Sequence, residues 1–292
     1  MGTGRRGIYY MTIDKKIISS VNDYMDIVKY VYQEWSKSDK HLFFRGHYSE
    51  TWDLLPSIMR GGYKENIVTL DFKQVSPIHF ENIDICNDAN KMLVEMQHYG
   101  IPTRLLDWTI APLTALFFAC HSEHPSDVEK NSNGEIWILN PWNAYNRIRE
   151  QNTTSSGISL PTTYMDINIH ARSLLALDWT DVEINQFIND KYHYNISPVE
   201  YEYSLPYIAK YGNDRIVAQR GAFTIWGKRS NRLNVQSLIY DNSNLISFKV
   251  DRNKKDSILE ELNRLYINEY TVYPDYEGMA NLIRRKKGLF NV

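Results

Sequence analysis

The chain has 292 residues, a formal net charge of -2 and 43% hydrophobic residues. That length can bury a sizeable core, and that charge excludes the global basic field of a long nucleic-acid footprint. The two cysteines, Cys86 and Cys120, lack metal-ligand spacing and fit reduced, buried thiols in a cytoplasmic protein. No stretch has the apolar length of a membrane span, and no signal peptide is legible, so no membrane association is expected.

Residues 1–10 (MGTGRRGIYY) differ in character from the rest of the chain and read as a leader, with 11–292 as one domain that opens on a helix. Ser20 caps a predicted helix over 21–35, with Val21, Met25, Val28 and Val31 on one face. A short buried strand is expected at 42–45, followed by Gly46, which allows a turn or the close approach of another group. A helical turn is expected at 57–60 and a helix at 66–76 that Pro77 ends. A second helix over 82–99 stops at Gly100, with Pro102 reinforcing the break. Residues 111–120 form a helix apolar almost all round, with Pro112 in its first turn, which places it in the core.

Strands are predicted at 134–139, 223–226 and 245–250, the second entered through Gly221. Residues 151–163 are polar and loop-like, Thr180 caps a helix over 181–188, 190–205 is irregular, and 208–218 is ambiguous. An amphipathic helix is predicted at 254–266, a strand at 270–273 and a last helix at 275–285, with Asp275 as its N-cap. Early helices with short strands throughout predict an α+β fold. The expected architecture is a single compact domain with a small mixed or antiparallel sheet flanked by helices.

Three segments place charge beside apolar structure. Arg45-Gly46 ends an apolar strand, where a planar guanidinium meets either a phosphate or an internal carboxylate partner. His98-Tyr-Gly-Ile-Pro-Thr-Arg-Leu-Leu-Asp-Trp108 puts Arg104 and Asp107 three residues apart, close enough to touch if the segment is helical. That arrangement is either a ligand site, with Asp107 orienting Arg104, or a polar hub that fixes a helix junction. Within it Thr103 can cap the following turn, His98 sits at a helix end, and Tyr99 or Trp108 can wall a ring. Gln219, Arg220 and Thr224 flank Gly221 at a strand entry, as ligand contacts or as a tight turn. Glu277 is either a first-turn acid or the group that polarises a sugar hydroxyl. The chain has no P-loop, no Gly-rich dinucleotide fingerprint and no CxxC, HExxH or GxSxG motif, and no metal is expected.

Phe44-Arg45-Gly46, the segment from His98 to Trp108, Gln219 through Thr224, and Tyr273-Pro274-Asp275 with Gly278 together resemble the FRG-domain family, named for its Phe-Arg-Gly motif. The resemblance implies a bacterial or phage-associated setting, such as phage defence or a toxin, without assigning a reaction. Arg45-Gly46 is also similar to the arginine that grips NAD phosphates at the end of the first core strand in arginine-serine-glutamate ADP-ribosyltransferases. By that likeness Arg45 and Glu277 become catalytic candidates, Thr224 the hydroxyl on a later strand, NAD the cofactor, and a protein or nucleic acid the target. The ligand set expected around a nucleotide-like molecule is Arg45, Gly46, His98, Tyr99, Thr103, Arg104, Asp107, Trp108, Gln219, Arg220 and Thr224. The alternatives are a non-enzymatic nucleotide or nucleic-acid binding module and a structural or sensing partner.

Overall fold

The computed structural model describes residues 17–35, 41–79, 89–144, 204–208, 214–227 and 244–284. The expected leader, Cys86, the loop at 151–163 and the helix at 181–188 lie outside the described residues. The elements are α1 (Val21–Trp35), β1 (Phe43–His47), α2 (Ser57–Arg60), α3 (Glu65–His79), α4 (Ala89–His98), β2 (Leu105–Thr109), α5 (Pro112–Cys120) and α6 (Asp127–Lys130). They continue with β3 (Gly134–Leu139), β4 (Leu205–Tyr207), α7 (Asp214–Ala218), β5 (Gly221–Ile225), β6 (Leu245–Val250), α8 (Lys255–Arg264), α9 (Glu269–Val272) and α10 (Tyr276–Arg284). The domain is α+β: a sheet in the order β4-β5-β2-β1-β3-β6, antiparallel at every strand pairing, with helices around it. One isolated parallel bridge joins Ile18 to Val250.

Buried apolar side chains on and around the sheet gather into two main clusters. One cluster gathers Leu105, Trp108, Phe223, Ile225 and Leu245. The other packs Phe44, Ile136, Ile138 and Phe248 against Tyr24 and Ile27 of α1, Phe117 of α5, and Ile258 and Leu262 of α8. Helices α1 and α10 begin at the caps that the sequence predicts. Ser20 Oγ accepts from the Asp23 amide, and Asp275 Oδ1 accepts from the Gly278 amide.

Three expectations are corrected. The run from Arg104 to Asp107 is the entry of the interior strand β2 and not a helix, because Leu105 to Thr109 pair with β5. Three residues apart in extended chain, the two side chains leave opposite faces and do not meet. Residues 269–272 are helical although Tyr270 to Tyr273 reads as a strand. Asn268 and Thr271 form a reciprocal capping box that outweighs the β propensity of the run. The third helix runs to His79, past Pro77, since a proline in the last turn withholds only one hydrogen bond.

Gly46 is explained by the fold. A Cβ there would lie 2.0 Å from the Ala115 carbonyl oxygen and 2.6 Å from the Ala119 nitrogen, both in the α5 backbone. On the neighbouring strand, a Cβ at Gly134 would lie 2.4 Å from the Ala119 carbonyl oxygen. The two glycines and the two alanines one turn apart let α5 lie directly on β1 and β3. Gly46→Ala pushes backbone against backbone, which no rotamer relieves, so we expect a loss of about 3 kcal/mol. Urea unfolding of the variant checks this; wild-type stability would contradict the close approach.

Candidate functional site

The first and second strands share one register pair, Phe44↔Thr109, whereas β1 and β3 share five and β2 and β5 share five. The sheet splits beyond that single pair. A cavity of about 560 Å³ opens there, lined by Phe44, Arg45 and Gly46 from one strand and Asp107, Trp108 and Thr109 from the other. Consecutive strand residues point to opposite faces, so this lining means that the cavity enters the split itself.

Arg45 spans the split. Its Nη1 donates to the Asp107 carbonyl oxygen at 2.6 Å, a backbone acceptor that full β1–β2 pairing would otherwise engage. Its Nε donates to His47 Nε2 at 3.0 Å. The nearest carboxylate oxygen, Asp107 Oδ2, is 3.8 Å away. Burial pulls the Arg45 guanidinium down to about 10, partly offset by Asp107, so it stays charged at neutral pH. Burial, reinforced by Arg45 and Arg60, pushes the His47 imidazole down to about 2. A neutral imidazole can accept from Arg45, which an imidazolium cannot.

Arg104 has a different position. It is buried, and it donates through Nε to Glu65 Oε1 at 2.7 Å, through Nη2 to Glu65 Oε2, and through Nη1 to the Trp226 carbonyl at 2.5 Å. Its partner is Glu65 at the start of α3, and not Asp107 as the sequence spacing suggested. Arg104 does not border the cavity.

The other expected residues divide between the cavity and its surroundings. His98 and Gln219 line it, and Gln219 Nε2 donates to the Val272 carbonyl. Trp108 lines it but is buried, its Nε1 donating to Thr224 Oγ1 at 3.0 Å. Thr224 lies beneath Trp108, and Thr103 is buried with its hydroxyl on Gln97. Arg220 is exposed, with a positive φ of 50°, and does not line the cavity. Tyr99 is exposed and borders a separate apolar groove with Val68, Phe72 and Ile101. Glu277 is exposed, one contact removed from the cavity through Arg215 Nη2 at 3.3 Å.

Sequence reasoning missed several lining residues: Trp52, Gln97, His121, Glu123, Arg215 and Tyr273. Trp52 donates to Glu129, and Arg215 donates to Asp275 at 2.6 Å and faces the Tyr273 ring. His121 stacks on Phe117 and lies 3.8 Å from Glu269. Of these, Tyr273 belongs to the Tyr273-Pro274-Asp275 segment, and Gln97 is adjacent to His98 in the chain; the others carried no usable signal. Among the described residues no group of histidines, cysteines and acids could hold a metal ion, and no helix is long and apolar enough to cross a membrane. Burial pushes the Cys120 thiol up, as expected of an inert core cysteine.

An α+β domain with an arginine in a split sheet is the class these features define. Residues 40–128 match the family model described as FRG domain. The matched span contains β1, β2, α5 and the Arg45 side of the cavity, while Arg215, Gln219 and Tyr273 come from beyond it. Searches of curated proteins and of solved structures give no match.

Two stability effects are expected. Glu65→Ala leaves the buried Arg104 charge unpaired and should cost roughly 3 kcal/mol in urea unfolding; a change within 0.5 kcal/mol would show the pair to be dispensable. His47 has a folded pKa below its unfolded value of 6.5, so on acidification the unfolded chain takes up a proton that the folded chain refuses. Stability is therefore lost as pH falls below 6.5, by up to about 1.4 kcal/mol per pH unit. His47→Gln removes this slope, and unfolding at pH 7 and pH 5 should show the variant losing about 2 kcal/mol less than wild type. Equal losses would place His47 in a solvated setting.

Proposed function

We propose that the split-sheet cavity binds a phosphorylated, nucleotide-like small molecule, with Arg45 as its anion anchor. One observation carries this reading: both hydrogen-bond partners of Arg45 are uncharged, a carbonyl oxygen and a neutral imidazole. Arg104 and Arg215, in contrast, are each hydrogen-bonded to carboxylates. Among the described residues nothing accepts from Arg45 Nη2, and the side chain is 18% exposed. A guanidinium held from behind by neutral groups keeps both charge and donors for an incoming oxyanion. The volume of about 560 Å³ suits a nucleotide-sized molecule, and Trp52 supplies an aromatic wall.

Within this reading NAD is the specific ligand proposed, and ADP-ribosyl transfer the reaction: the bond to nicotinamide breaks and ADP-ribose joins a nucleophile on a protein or nucleic acid. The likeness of Arg45-Gly46 to the phosphate-gripping arginine of ADP-ribosyltransferases supports it. Glu277, next to Arg215, is the catalytic carboxylate proposed from the sequence, and Asp107 and Glu123 are the carboxylates that line the cavity. The family setting supports a role as a phage-defence effector or toxin.

Calorimetric titration with ADP-ribose and NAD, beside incubation with labelled NAD and a bacterial lysate, tests both levels. Arg45→Ala should lose roughly 10- to 100-fold in affinity, the range for a hydrogen bond to a charged group, and Arg45→Lys should lose less. Unchanged affinity in a folded Arg45→Ala would end the anion assignment. Binding without label transfer would leave a nucleotide-binding module and exclude the transferase.

A further inference from the structure

The second strand lies inside the sheet, yet its middle residue, Asp107, has a side chain 52% exposed between buried neighbours. That exposure exists because the cavity opens at this point. The carboxylate is also held in place. Thr103 Oγ1 donates to Gln97 Oε1 at 2.5 Å, which orients the amide so that Gln97 Nε2 donates to Asp107 Oδ2 at 2.8 Å. Among the described residues no group donates to Oδ1. At 3.8 Å the Arg45 guanidinium is a neighbour and not a hydrogen-bond partner of this carboxylate, since Arg45 Nη1 is engaged with the carbonyl of the same residue.

We propose that Asp107 is the specificity-determining residue of this cavity and accepts ligand hydroxyls, so that the ligand class is a sugar phosphate with its anion on Arg45 and its sugar on Asp107. The inference rests on the anion reading of Arg45. A carboxylate offers only acceptors, so it selects donors, and vicinal sugar hydroxyls are the donors that accompany phosphate in nucleotides. It also repels a second phosphate, which disfavours bare polyphosphates at the same position. Gln97 is a positioning residue: it touches the carboxylate, and Thr103 fixes Gln97 in turn.

Titration with three probes tests this: ribose 5-phosphate, 2-deoxyribose 5-phosphate and inorganic phosphate, against wild type, Asp107→Asn and Gln97→Met. Wild type should prefer ribose 5-phosphate to each of the others by about tenfold, equivalent to one hydrogen bond to a charged group. Asp107→Asn should abolish that preference while its phosphate affinity holds or rises, because a negative charge near Arg45 has gone. Gln97→Met keeps the carboxylate and should reduce the preference by about threefold, a shift that a purely structural role would not produce. Equal binding of the two sugars by wild type overturns the proposal without reference to any variant. Phosphate binding with an undiminished sugar preference in Asp107→Asn overturns the role of Asp107 and leaves Arg45 standing. Failure of all three probes to bind wild type overturns both.

Discussion

The contact on which the domain depends is backbone against backbone: α5 resting on β1 at Gly46 and on β3 at Gly134. A helix normally packs on a sheet through side chains, at a separation of about 10 Å. Here Ala115 and Ala119, one turn apart, and two glycines without side chains remove that spacer. Phe117 of the same helix is buried in the core, and the helix end delivers His121 to the cavity wall. With β1 held to α5 on one face and paired to β3 along its length, its other edge meets β2 at one register pair. The cavity occupies that departure from a regular sheet.

Arg104, Arg215 and Arg45 take three different electrostatic settings. Arg104 forms a buried forked pair with Glu65, joining the start of α3 to the sheet. Arg215 is shared between Asp275 and Glu277 and tied to the N-terminus of α10. Arg45 alone of these three has uncharged hydrogen-bond partners. A carboxylate partner satisfies a guanidinium internally, whereas a carbonyl and a neutral imidazole position it and leave its charge available. The low pKa of His47 belongs to the same arrangement, because burial, and after it the charge of Arg45, oppose a protonated ring there.

Local chemistry made much of the fold legible. The helix over 21–35 and the strands at 134–139 and 245–250 have the expected limits, since capping, periodicity and length agree there. Arg45, Gly46, His98, Asp107, Trp108 and Gln219 line one cavity. What failed was pairing. The partner of Arg104 lies 39 residues upstream, at Glu65, and no spacing rule reaches it. Gly46 announces a close approach, but a sequence cannot say whether a ligand or the α5 backbone makes it. Residues 270–273 carry strand-forming side chains, and a capping box held by Asn268 outweighs them.

Hydrogen–deuterium exchange of the full chain, with and without ADP-ribose, tests most directly whether the split sheet is the ligand site. Binding there should slow exchange in 44–47 and 105–109 and in the residues after α5 around His121. Slowing confined to the apolar groove near Phe72 and Tyr99, or no slowing at saturating ADP-ribose, would contradict it.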